Sequence, residues 1–136
     1  MRALAVAMSA LMLAVLLGGQ ASGVSAAALA TASQMQLTQN EKRYAAAAPP
    51  VPAAAGLITA AQNHATYSAT NGTSGHYETA GLSGYTGYGP RDRALAAGFS
   101  ATFISEVATG ASDAISGVRS LWDAPYHRLG MIHPNA

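Results

Sequence analysis

Nearly half of the hydrophobic residues in this 136-residue chain are alanine, 32 of 68. Alanine gains little free energy when it leaves water, so any core must come from the larger apolar side chains. Beyond residue 26 there are 25 of these, counting Val, Ile, Leu, Met, Phe, Tyr and Trp. That is thin for an independent domain, because short chains bury a smaller fraction of their surface. No cysteine is present to staple such a chain, which also removes thiolate zinc knots and thiol nucleophiles.

The start of the chain reads as an address. Arg2 precedes an apolar run over residues 3–17, interrupted only by Ser9, and Gly18, Gly19 and Gln20 break it. Val24, Ser25 and Ala26 place small or aliphatic side chains where a signal peptidase reads. The run is short of the ~20 apolar residues that span a bilayer. The expectation is a cleaved signal over 1–26, secretion to an extracellular or periplasmic space, and no transmembrane anchor afterwards. With no Cys at the new terminus, lipidation there is excluded. The remaining chain carries six basic and six acidic residues, which argues against nucleic acid, whose binding needs a basic footprint.

Residues 27–52 form an Ala-rich segment ending in Pro49, Pro50 and Pro52. Residues 34–44 suit a short helix, and the prolines then impose an extended link. Residues 53–68 read as a helix with Leu57, Ala61, His64 and Ser68 on one stripe, stopped by Asn71 and Gly72. Residues 70–90 hold six Gly and three Tyr and carry neither period, so they are a long loop. Residues 91–97 suit a short helix closed by Gly98. Residues 99–107 alternate in part and read as a strand or extended segment. Ser112 or Asp113 caps a helix to about Asp123, with Ile115, Val118, Leu121 and Trp122 as its apolar stripe and Pro125 as its stop.

No HExxH and no GxSxG occurs, so neither a helical zinc-protease site nor a hydrolase nucleophile elbow is present. Any polar site must be assembled from His64, His76, His127, His133 and a few acids far apart in sequence. Taken singly, His64 reads as a helix-face residue that packs or bonds locally, and His133 as a solvated residue near the terminus.

The order of segments resembles the CAP superfamily (cysteine-rich secretory, antigen 5 and pathogenesis-related 1 proteins, the SCP domain) in its bacterial secreted form. The carrying residues are Leu57, Ala61, His64, Ala65 and Tyr67 on the helix, then Gly75-His76-Tyr77-Glu78 in the loop. They continue with Gly84 to Gly87, Pro90-Arg91-Asp92-Arg93 and Ala96 to Phe99. Next comes Ser105-Glu106-Val107, where many members have Gly-Glu-Asn, and finally Trp122 with Pro125-Tyr126-His127-Arg128 and Ile132-x-Pro134.

The resemblance implies an α/β fold, an α-β-α sandwich with a cleft, over residues 53–136. It matches His76, Glu106 and His127 to cleft residues that in some members bind ligand or hold a divalent metal. Two imidazoles and a carboxylate suit zinc with one open position. The implied function is a non-catalytic extracytoplasmic binding module for a small ligand, lipid or peptide at the cell envelope. The alternatives are a metal-dependent hydrolase using the same His/Glu cleft, with Glu106 as ligand or general base, and an inactive remnant. Members continue past the position of Ala136 with further sheet strands, so the expectation is a domain lacking its C-terminal strands.

Overall fold

The computed structural model describes residues 26–133, with side chains from Thr31 onward. The signal expected over 1–26 lies outside these residues except for Ala26. Five helices make up the regular structure: α1 (Ala26–Ala45), α2 (Ala55–Asn71), α3 (Pro90–Ala96), α4 (Ala114–Asp123) and α5 (Pro125–Ile132). No described helix is long and apolar enough to cross a membrane.

The first helix is 20 residues long, longer than the expected short helix over 34–44. The alanines before Gln34 extend it, since alanine has the highest helix propensity. Its C-terminus closes with Ala48 N–H donating to Arg43 O across five residues, and Ala47 takes a left-handed φ of 56°. Asn40 then fastens the proline link from the side. Its amide nitrogen donates to Val51 O and its Oδ1 accepts from Val51 N–H, at 3.0 and 2.9 Å.

Helix α2 ends as the Asn71-Gly72 pair predicts. Gly72 is left-handed at φ 61° and its N–H returns to Ser68 O. Helix α3 starts on Pro90, whose fixed φ and missing N–H suit the first helical position. Gly89 N–H donates to the Asp92 carboxylate at 3.0 Å. Helix α4 is capped by Asp113, whose Oδ1 accepts from Ser116 N–H at 2.8 Å. Pro125 does more than stop it: the same residue opens α5, with Ala124 as the extended joint between them.

The core is small and sits where α4 and α5 meet α1. Val118, Leu121, Trp122 and Met131 are buried together, with Val107 and Ile132 against them. Ile115, expected on the same stripe, is exposed at the first turn of α4. Helix α2 packs on α3, and Gly56 allows the close approach: a Cβ there would stand 2.8 Å from Phe99 Cβ.

The segment 99–107 does not form a strand, and no strand occurs among the described residues. Strand structure requires a partner backbone to complete its ladder. Here Phe99 N–H instead closes α3 by donating to Ala94 O at 2.8 Å. The α-β-α layering implied by the resemblance is therefore not present in the described part, which is helical.

Candidate functional site

Five side chains from four stretches of chain meet beside α2 and α3: His64 on α2, His76 and Glu78 in the Gly-rich loop, Arg93 on α3, and Glu106 on the segment after it. The loop is ordered around Glu78, whose N–H donates to Tyr88 O at 2.9 Å. The flanking Tyr77 and Tyr88 rings stack with centroids 4.9 Å apart. Tyr67 supports it from α2, its hydroxyl oxygen accepting from Thr79 N–H at 2.8 Å. Gly87 permits the loop to pass the start of α3, since a Cβ at that position would come within 2.8 Å of Arg93 N.

Arg93 is the hub, only 1% exposed. Its Nη2 donates to both oxygens of Glu106, at 2.9 and 2.8 Å. Its Nη1 donates to His76 O at 3.0 Å and Tyr88 O at 3.4 Å. Its Nε is buried without a hydrogen-bond partner and stands 3.7 Å from Glu78 Oε1. Thus one guanidinium serves two carboxylates, one by charge-assisted hydrogen bonds and one by charge alone.

Glu78 is fully buried as a side chain. Its Oε2 accepts from Thr86 N–H at 2.7 Å, and its Oε1 accepts from His64 Nδ1 at 3.0 Å. Burial pushes this carboxyl up. The Thr86 N–H, the His64 ring, the Arg93 guanidinium and the Gly87 N–H together outweigh it and hold Glu78 below its ordinary value.

His64 has acceptors at both nitrogens: Glu78 at Nδ1, and Gly75 O at 2.9 Å from Nε2. Glu106 Oε1 lies 3.9 Å from the same Nε2. His76 donates from Nδ1 to Glu106 Oε1 at 3.0 Å, which leaves its Nε2 as the outward nitrogen of a ring whose side chain is 39% exposed. A carboxylate on one ring nitrogen fixes the orientation and tautomer in which the other is presented.

Of the three residues the resemblance selected, the structure joins His76 directly to Glu106. His127 is half-buried on α5 and borders a hollow of about 350 Å³ that Glu106 also borders, together with Phe103, Val107, Leu129 and His133. His76 is not among the residues lining that hollow. Among the described residues, no group of three His, Asp or Glu side chains is arranged to hold one metal ion. His133, expected to be solvated, is exposed but has its ring 6.3 Å from that of Phe103.

Three members of the network carry little sequence signal. His64 lies on a helix stripe, and Glu78 is one acid in a loop. Arg93 looks like a surface arginine on a seven-residue helix, although it falls inside the Pro-Arg-Asp-Arg motif. A second buried cation was equally hidden. Arg43 on α1 is 0% exposed and donates to Pro49 O, Met131 O and His133 O.

A sequence profile described as the cysteine-rich secretory protein family (CAP) matches residues 36–136, about three quarters of the chain. The match includes the second half of α1 as well as every residue of the network. No curated protein and no solved structure matches the chain. The chain belongs to the cysteine-rich secretory protein (CAP) family, although it has no cysteine of its own.

Proposed function

We propose that the chain is a secreted, non-catalytic binding module of the CAP type, with His76, Glu106 and His127 as its ligand-binding residues. The observation that carries this reading is the occupancy of Glu106. Both its oxygens accept from Arg93, and Oε1 also accepts from His76. With both oxygens already engaged by the guanidinium and one also by the ring, Glu106 serves to orient His76.

The hollow beside Glu106 and His127 supplies the binding surface. Phe103, Tyr126 and Leu129 line it and remain largely exposed. Apolar walls with a few polar groups at one end suit an amphiphilic small molecule, a lipid or a peptide side chain. Secretion is supported by Arg2 and the apolar run behind it. The α-β-α sandwich belongs to the same reading, with residues 99–107 becoming a strand when a partner strand lies alongside.

The divalent metal that the resemblance raises does not fit the donors as they stand. The guanidinium of Arg93 already lies against Glu106, and a second cation there would meet its repulsion. A metal-dependent hydrolase therefore remains the rival reading, favoured only by the closeness of His76 to Glu106 and of His127 to the same hollow.

Fluorescence titration of the purified chain with an anilinonaphthalene sulfonate probe tests the binding reading. Saturable binding that Leu129→Asp weakens is the expected result. Metal-dependent turnover of a peptide or ester that His127→Ala abolishes would overturn it.

A further inference from the structure

We infer that Arg93 is the resident cation of this site, bringing to its two carboxylates with its own guanidinium the positive charge that a divalent metal would otherwise supply. The inference concerns how the site is neutralised and does not depend on which ligand the hollow accepts.

The cluster has the donor chemistry of a metal site. Glu78 and Glu106 face the guanidinium, His64 bonds the first and His76 the second, and carboxylate oxygen with imidazole nitrogen is the donor mixture zinc selects. Glu106 Oε1 lies 3.0 Å from His76 Nδ1 and 3.9 Å from His64 Nε2. Two zinc ligands at tetrahedral angles stand about 3.3 Å apart, given bonds of ~2.0 Å. These two spacings fall on either side of that value, while no three of the side chains are arranged to hold one ion as they stand among the described residues.

What occupies the cluster is an arginine whose remaining hydrogen bonds, from Nη1 to His76 O and Tyr88 O, hold it against the Gly-rich loop. Arg93 is almost wholly buried and its Nη2 takes both Glu106 oxygens. Its Nε faces Glu78 at 3.7 Å without a hydrogen bond, which is the behaviour of a point charge rather than a directional donor. The guanidinium keeps its charge at every accessible pH, so unlike a metal it cannot be lost by protonation of its ligands or by chelation. Glu106 thereby becomes a positioning residue for His76 in place of a metal ligand.

Zinc calorimetry and thermal unfolding with and without zinc test this on the purified chain, comparing wild type with Arg93→Gln and Arg93→Lys. Wild type and Arg93→Lys should bind zinc at Glu106 no more tightly than about 1 mM, while Arg93→Gln should gain at least about tenfold in affinity. That gain should appear as a zinc-dependent rise in Tm, and Glu106→Gln in the Arg93→Gln background should remove it. If Arg93→Gln does not fold alone, refolding on addition of zinc is the supporting result. A variant that zinc neither binds nor refolds overturns the inference. So does micromolar zinc binding by wild type that Glu106→Gln abolishes. Probe binding in the hollow is read separately and is expected to survive in wild type either way.

Discussion

The Nη2 atom of Arg93 sits 2.9 and 2.8 Å from the two oxygens of Glu106, and the same guanidinium faces Glu78 through Nε at 3.7 Å. Two acids 28 residues apart in sequence thus share one buried cation. Their neutralisation depends on α3 lying where it does, between the Gly-rich loop and the segment 99–107.

Removing that cation should be costly. Arg93→Met leaves two mostly buried carboxylates without their shared cation and should destabilise the fold by about 3–5 kcal/mol in urea unfolding. Adding Glu106→Gln to Arg93→Met should recover part of the loss, because one of the orphaned charges is then gone. A single-variant cost below about 1 kcal/mol would mean that water reaches the pair and screens it.

Glu78 should make stability depend on pH in the acid range. Its folded carboxyl titrates below the ordinary value of 4.5, so the folded state binds this proton less readily than the unfolded chain. The stabilisation is present above 4.5 and is lost as pH falls through the folded value, with a slope of up to about 1.4 kcal/mol per pH unit from this group. Urea midpoints measured from pH 6 down to pH 3 should fall more steeply for wild type than for Glu78→Gln. Parallel curves would falsify this account of Glu78.

Gly56→Ala is expected to destabilise although it replaces glycine within a helix. The propensity gain is about 1 kcal/mol. Against it, the new Cβ would stand 2.8 Å from Phe99 Cβ and 3.0 Å from Ala97 O, groups fixed to backbone that cannot swing away. Overpacking of this kind costs about 1–3 kcal/mol. A rise in Tm for Gly56→Ala would show that α2 and the end of α3 can separate freely.

Ala47→Gly should do the opposite. Ala47 holds a left-handed φ of 56° at the close of α1, a conformation that costs an L-residue with a Cβ roughly 1 kcal/mol. Glycine relieves it, although its freer unfolded chain returns part of the gain. Thermal unfolding should register a higher Tm, and an unchanged or lower one removes the strain argument.

Arg43→Ala should loosen the N-terminal helix from the rest. Arg43 donates to Pro49 O at 2.7 Å, to Met131 O at 2.6 Å and to His133 O at 3.1 Å, from a fully buried position. Hydrogen bonds from a charged donor contribute about 1.5–3 kcal/mol each, so the loss should exceed that of an average core truncation. Hydrogen exchange should accelerate over α1 and the last turn of α5 together. Acceleration confined to α1 would argue against the latch.

Much of the local structure was legible because its causes are local. Gly72 ends α2, Asp113 caps α4, and Val118, Leu121 and Trp122 bury one stripe, each from residues within a few positions of one another. The exceptions have equally physical causes. Pro125 is a stop signal for α4, and it is also a favourable first residue for the helix that follows. Residues 99–107 alternate as a strand does, but alternation cannot supply a pairing partner. Of the site, His76 and Glu106 were selected through resemblance and do touch. His64, Glu78 and Arg93 were passed over because a buried charged residue and a solvated one look alike in sequence.

By itself the sequence determined the close of α2 at Gly72, the cap of α4 at Asp113 and the family, because these rest on short-range sterics and on motif order. Only the tertiary structure decided which charges would be buried and whom they would face. Ion-pair geometry depends on the through-space distance between groups 13 to 42 residues apart, and packing of α2 and α3 against the loop brings His64, Glu78, Arg93 and Glu106 within a few ångströms of one another.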